Sequence, residues 1–257
     1  MNKDPLFSAK LKLEGAKRHI GDLAGHIKAF FGTEPYPIAT SVEAEPEGPQ
    51  QVLKVKITKP LSNEIYACAG DALHNLRSVL DHLACALAIQ NGHSDPGKTE
   101  FPIVGGENWL DDPGTKKKIK LISAEANALI RDLKPYKGGD NILWALNRLR
   151  VTDTHKTVVP IGSALLGISG QMIMKPSGIG VHTFETPRWC RFNENMEALI
   201  LRFPKTDDFE SNFDINLDVA FCNVEFVDGV PVTMALNAFG LRVNQILSSF
   251  EERFFKS

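Results

Sequence analysis

Two histidines, two aspartates, an arginine, a serine and an asparagine fall within DALHNLRSVLDHLA at 71–84, without a lysine or glutamate among them. These side chains have fixed hydrogen-bonding directions, and histidine moves protons near neutral pH, so the set suits a semi-buried polar network or proton-transfer chemistry. At 100° per residue, Asp71, His74, Asn75, Arg77, Ser78, Asp81, His82 and Cys85 occupy one half of a helix. Leu73, Leu76, Leu80, Leu83 and Leu87 occupy the other half, which is expected to enter the core.

The string LHNLRSVLDHLA resembles the signature of a bacterial protein family that carries L-H-N-L-R-S-x-L-D-H in a long helix. Within it, RSVLDH is similar to the Arg, four to six residues, His motif of HEPN-type proteins. That resemblance implies a HEPN-like RNA-binding or metal-independent RNA-cleaving protein of a bacterial defence or toxin type, working as a homodimer. In such chemistry the ribose 2′-OH attacks the adjacent phosphodiester. His82 would move the proton and Arg77 would clamp the phosphate, the two lying one turn apart on adjacent faces. Arg148 to His155 and Arg150 to His155 repeat the spacing.

A second reading needs no reaction. The polar half of the helix could tie it to the segment ending in NRLRVTDTHK, with Asp81 or Asp153 pairing an arginine, or could line a small-ligand site. Asp71, His74, Asn75, Ser78, Asp81, Arg150, Asp153 and His155 are the supporting residues in either case. Arg150 and Asp153 lie nearer the apolar flank of their helix than Asn147, Arg148 and His155 do, so one of them should meet the stripe. A metal site built on Asp71, His74, Ser78 and His82 is disfavoured, because His74 and His82 are about 12 Å apart along the axis. No metal or cofactor is expected. TKKKIK at 115–120 is the one dense basic run, and it reads as a solvated loop or helix end.

The elements that hold these residues follow from periodicity. Asp4 and Pro5 start a helix whose Leu6, Ala9, Leu13, Ala16, Ile20, Leu23, Ile27 and Phe30 form a seam of three-four spacing to about Phe31. Residues 36–59 alternate with period two, predicting a hairpin with EPEGPQ as its loop. Helices are predicted from about Ser62 to Gln90, from Ser123 to Lys134, and from about Asn141 to Lys156 with Asp140 as cap. FPIVGGENWLDDPG reads as a loop. ALLGISGQMIM, GVHTFET, EALILRF and FDINLDVAF read as strands, and Asp228-Gly229 as a tight hairpin turn. A last helix carries Leu236, Phe239, Val243, Ile246 and Phe250.

The expected class is α+β: four to five helices in a bundle and an antiparallel sheet, made mainly by the C-terminal half, with the hairpin after the first helix. One domain over 1–257 is expected, helix-rich in 1–157 and strand-rich in 158–232, with the helix of 233–256 returning to the bundle. Hydrophobic residues at 43%, charged residues at 23% and a formal charge of −2 offer no global attraction to nucleic acid or to an anionic membrane. RNA would therefore need a local patch. The charged N-terminus and the four scattered cysteines predict a cytoplasmic, membrane-free protein with reduced thiols. Surplus apolar surface on the first and last helices predicts a homodimer.

Overall fold

A computed structural model describes residues 4–33, 37–45, 48–155, 159–175, 181–185, 190–192, 196–204 and 208–256. The class is mixed α+β, with six α-helices and two small antiparallel sheets among those residues.

Helix α1 spans Phe7–Gly32, and Asp4 steadies its entry by accepting the Leu6 N–H at 2.9 Å. Its seam from Leu6 to Ile27 is buried along its length, packed chiefly on α2. That seam is used inside the chain, while Phe7 and Leu11 of the same helix stay exposed.

Helix α2 spans Asn63–Gln90, and Leu73, Leu76, Leu80 and Leu83 are fully buried at its centre. Burying each of them contributes about 1.5–3 kcal/mol. The helix touches α1 on one side and α5 (Asn141–His155) and α6 (Val232–Phe250) on the others. Asp140 caps α5 by accepting the Leu143 N–H, and its second oxygen takes the Arg242 Nε of α6 at 2.6 Å.

Between α2 and α5 the chain is more helical than its composition suggests. A short 3-10 turn over Glu107–Asp111 leads into α3 (Pro113–Ile119), and α4 spans Ala124–Asp132. Asp112-Pro113 repeats the Asp-Pro start of α1, with Asp112 accepting the Gly114 N–H. Lys116, Lys117 and Lys118 of TKKKIK therefore lie on a helix, where Lys116 and Lys118 pair with Asp111 and Glu100.

The hairpin pairs β1 (Ile38–Glu45) with β2 (Gly48–Lys56), and its ladder continues to Glu45 opposite Gly48. The turn is thus shorter than EPEGPQ. The other edge of β2 takes β6 (Glu197–Pro204), so the hairpin belongs to a sheet of its own, ordered β1-β2-β6. In the second sheet β3 (Ile161–Lys175) pairs along its length with β7 (Asp208–Phe221), and also with β4 (Val181–Glu185) and the short β5 (Cys190–Arg191). Two sheets replace the one expected. Val55, Ile57, Leu165, Phe192 and Ala198 form a small core between them, closed by Phe30 and Phe31 at the end of α1.

The chain after β7 is not a two-residue hairpin. Residues 222–230 form a loop closed by a bridge between Ala220 and Pro231, and Asn223 and Phe226 both take left-handed backbone conformations. Asp228 accepts the Asn223 N–H, and the Gly229 N–H returns to the Phe221 carbonyl. The loop delivers the chain into α6, which packs on α1, α2 and α5.

Candidate functional site

The polar half of α2 divides into three groups with different neighbours. Arg77 is the only charged side chain of the helix that is buried, 8% exposed. Its Nη1 donates to Asp81 Oδ1 at 2.6 Å, its Nη2 to the Phe101 carbonyl at 2.7 Å, and its Nε to Asn147 Oδ1 at 3.1 Å. Asp81 also accepts the Phe101 N–H at 3.0 Å. One guanidinium therefore ties α2 to α5 and to the irregular segment before the 3-10 turn. Cys85 extends the seam, its Sγ 3.5 Å from the Thr99 carbonyl, and burial raises its thiol pKa.

The second group faces α1. Asn75 lies against Gly15, where a side chain on α1 would meet its amide, and its own N–H bonds back to the Asp71 carbonyl. Ser78 likewise bonds back to the His74 carbonyl. His82 is half-buried, and burial holds its pKa below the ordinary histidine value, helped by Lys12 of α1 and opposed by Asp81.

Five residues at 100° place Arg77 and His82 about 140° apart around the helix. Arg77 faces α5 and His82 leans towards α1. Among the described residues no hydrogen bond joins them, and their neighbours lie on different helices, Asn147 of α5 for Arg77 and Lys12 of α1 for His82.

The third group is open. Asp71 and His74, both exposed, line a cleft of about 570 Å³ with Asn63, Tyr66, Ala67 and Gly70 of α2 and Asp153 of α5. Gly70 is its floor: a β-carbon there would stand 3.1 Å from both oxygens of Asp153. Burial pushes the Asp153 carboxyl above the ordinary carboxylate range, against a bond from the Val159 N–H; Asp71 adds to the rise and His74 opposes it. Neither Asp71 nor Asp153 has an ion-pair partner among the described residues. The acceptors of Asp71, Asp153 and Asn63 and the ring of Tyr66 suit a ligand that brings positive charge and N–H donors.

Of the two α5 residues expected at the stripe, Asp153 reaches it through the cleft. Arg150 is half-buried and acts electrostatically on Glu100. His155 ends α5, and its side chain lies outside the described residues. Asn147 was expected to point away, yet it bonds Arg77. It stands four residues after Leu143 and three before Arg150, a helical spacing that could have placed it on the inner face. Asn63 and Tyr66 were missed because they lie upstream of the motif, on the same face one and two turns before it. Among the described residues no group of three or more His, Cys, Asp or Glu is placed to hold a metal ion, and no helix is long and apolar enough to cross a membrane. No protein-family model matches the chain, and no curated protein or solved structure shows significant similarity to it.

Proposed function

We propose that this is a non-enzymatic binding protein. The cleft between α2 and α5 takes a small cationic ligand of the amine or guanidinium class, and the Arg77 seam is the scaffold that fixes the two helices around it. The observation that carries this reading is the placement of Asp71 and Asp153, on different helices, on one cleft with no lysine or arginine paired to them among the described residues. A carboxylate that burial already disfavours gains most from a cation that enters beside it.

Thermal unfolding with methylguanidine, putrescine and agmatine tests this. A ligand at one hundred times its dissociation constant stabilises the fold by about 2.7 kcal/mol, so at least one of these probes should raise Tm at millimolar concentration. Asp71→Asn and Asp153→Asn should each remove the rise. No shift in wild-type protein, or an undiminished shift in both variants, overturns the proposal.

RNA cleavage by His82 and Arg77 makes a different forecast. Arg77 is buried and three of its five N–H groups already donate to Asp81, Phe101 and Asn147, so a phosphate there has only the two remaining N–H groups to meet. Cleavage of single-stranded RNA in excess chelator, lost in His82→Ala, would replace the ligand-binding reading with it.

A further inference from the structure

The cleft between α2 and α5 is longer than a bare amine or guanidinium needs. Its α2 residues stand at 63, 66, 67, 70, 71 and 74, spacings that keep one helix face in line for about 16 Å at 1.5 Å per residue. Its volume of about 570 Å³ falls among pockets that enclose drug-sized ligands, about 300–1,000 Å³. An ion the size of methylammonium beside Asp71 would leave most of that space to water.

Charge and shape are spread unevenly along this length. Both carboxylates stand at one level: Asp153 lies over Gly70, where an added β-carbon would meet its two oxygens at 3.1 Å, and Asp71 is the next residue. His74 follows one turn beyond. Asn63, Tyr66 and Ala67, which line the two turns before Gly70, are uncharged. Glu64, the charged residue of those turns, does not line the cleft; it accepts from Ser62 and lies on the side of His26 of α1. Tyr66 is half-buried against the core, which holds its ring, and burial raises its phenol pKa so that it stays neutral. Ala67 is exposed and Gly70 has no side chain, so the floor beside that ring is low. A low floor beside a held ring is a seat for a flat apolar group.

We infer that the ligand is a primary amine carried by a short arm on an aromatic ring with a polar group at the ring's far end, tyramine being the simplest case, which narrows the cationic-ligand reading on which it rests. The three N–H donors of one ammonium serve Asp71 and Asp153 together. The ring lies over Ala67 against Tyr66, where offset or edge contact between aromatic rings adds to the area they bury. Asn63, about 10 Å before Gly70 along the axis, meets the ring's polar group with the oxygen or an N–H of its amide. A linear diamine fits less well, because its second charge would come to rest on the uncharged half.

Isothermal titration of the full chain with ethylamine, putrescine, phenethylamine and tyramine tests this. Tyramine should bind about tenfold more tightly than ethylamine or better, with phenethylamine between them and putrescine close to ethylamine. 4-Hydroxyphenylethanol, the same ring with an alcohol in place of the amine, should not bind at millimolar concentration. Ala67→Leu, at an exposed helix position that accepts a larger side chain, and Tyr66→Leu should each bring tyramine and ethylamine within about threefold of one another. Wild-type protein that binds the two amines within about threefold overturns the inference while the cationic reading stands. So does a tyramine advantage that survives both substitutions, because the ring must then lie elsewhere, or equal binding of the alcohol. Binding of none of the amines removes the inference together with the reading beneath it. The wild-type series decides between these outcomes even if the half-buried Tyr66→Leu loses stability.

Discussion

Two stretches of one helix face, built from the same kinds of residue, end in opposite states. From Arg77 to Cys85 the polar side chains on the α5 side are closed by partners: Asn147, the Phe101 backbone and the Thr99 carbonyl. From Asn63 to His74 the face stays open and lines a cleft. The difference lies in what packs over each half. The segment before the 3-10 turn crosses the first half and presents a peptide N–H and carbonyl at Phe101, while the second half meets the end of α5 at Asp153. A polar stripe becomes scaffold or site according to whether backbone arrives to saturate it.

The largest effect is expected in the closed half. Arg77→Ala leaves the Phe101 carbonyl, the Asn147 amide oxygen and one side of Asp81 without their donor, and removing one partner of such a buried pair costs about 3–5 kcal/mol. Asp81 remains partly exposed and keeps the Phe101 N–H, which places the loss near the lower end. Arg77→Lys keeps the charge but cannot span three acceptors, so its loss should be intermediate. By contrast, Asp71→Asn, in the open half, should change stability by less than about 0.5 kcal/mol. Urea unfolding of the three variants measures this. Equal losses for Arg77→Ala and Asp71→Asn would erase the distinction between the halves.

The apolar half of α2 was readable from the sequence because burial obeys periodicity: Leu73, Leu76, Leu80 and Leu83 all lie in the core. The polar half was readable as a set but not as a division. Arg77 lies about 40° from Leu73 around the helix, closer to the apolar flank than any other member, and that angle already favours burial. What saturates it is a carbonyl and an amide from Phe101, and backbone groups leave no trace in residue types. The hairpin was legible from its alternation, but its pairing with β6, some 140 residues later, is a long-range choice that local pattern does not encode. The 222–230 loop escaped because Asn223 and Phe226 adopt left-handed backbone, and for Phe226 no residue preference announces it.

His82 gives a smaller effect that depends on pH. Its folded pKa is depressed, so as pH falls through about 6.5 the unfolded chain takes up the proton before the folded chain does. Stability is therefore complete above that value and is lost progressively down to the lowered folded pKa. Asp153 and Asp218, both raised by burial, act in the other sense, gaining stability as pH falls through their folded values. The difference between wild type and His82→Gln isolates the histidine: the variant should lose less stability between pH 7.5 and 5.5. An identical pH slope in both proteins would mean that His82 is as free as an exposed residue and belongs with the open half.

The smallest change in stability, and the sharpest test of the cleft, comes from Gly70→Ala. Gly70 sits inside α2, where alanine is favoured over glycine by about 0.8–1 kcal/mol. Its methyl group would stand 3.1 Å from both Asp153 oxygens, tighter than ordinary contact, so the carboxylate must give by a few tenths of an ångström. Asp153 is half-buried at the edge of the cleft and held by one bond from the Val159 N–H, so it can swing outward at the expense of that bond. Gain and cost nearly offset each other, and unfolding should shift by less than about 1 kcal/mol in either direction. Binding should respond more strongly, because the displaced carboxylate no longer faces a cation beside Asp71 and the methyl fills the floor. Amine and guanidinium probes that raise the wild-type Tm should therefore lose most of their effect in this variant. A loss of stability well beyond 1 kcal/mol would show that Asp153 cannot move, which would place it with the closed seam around Arg77 rather than with an open site.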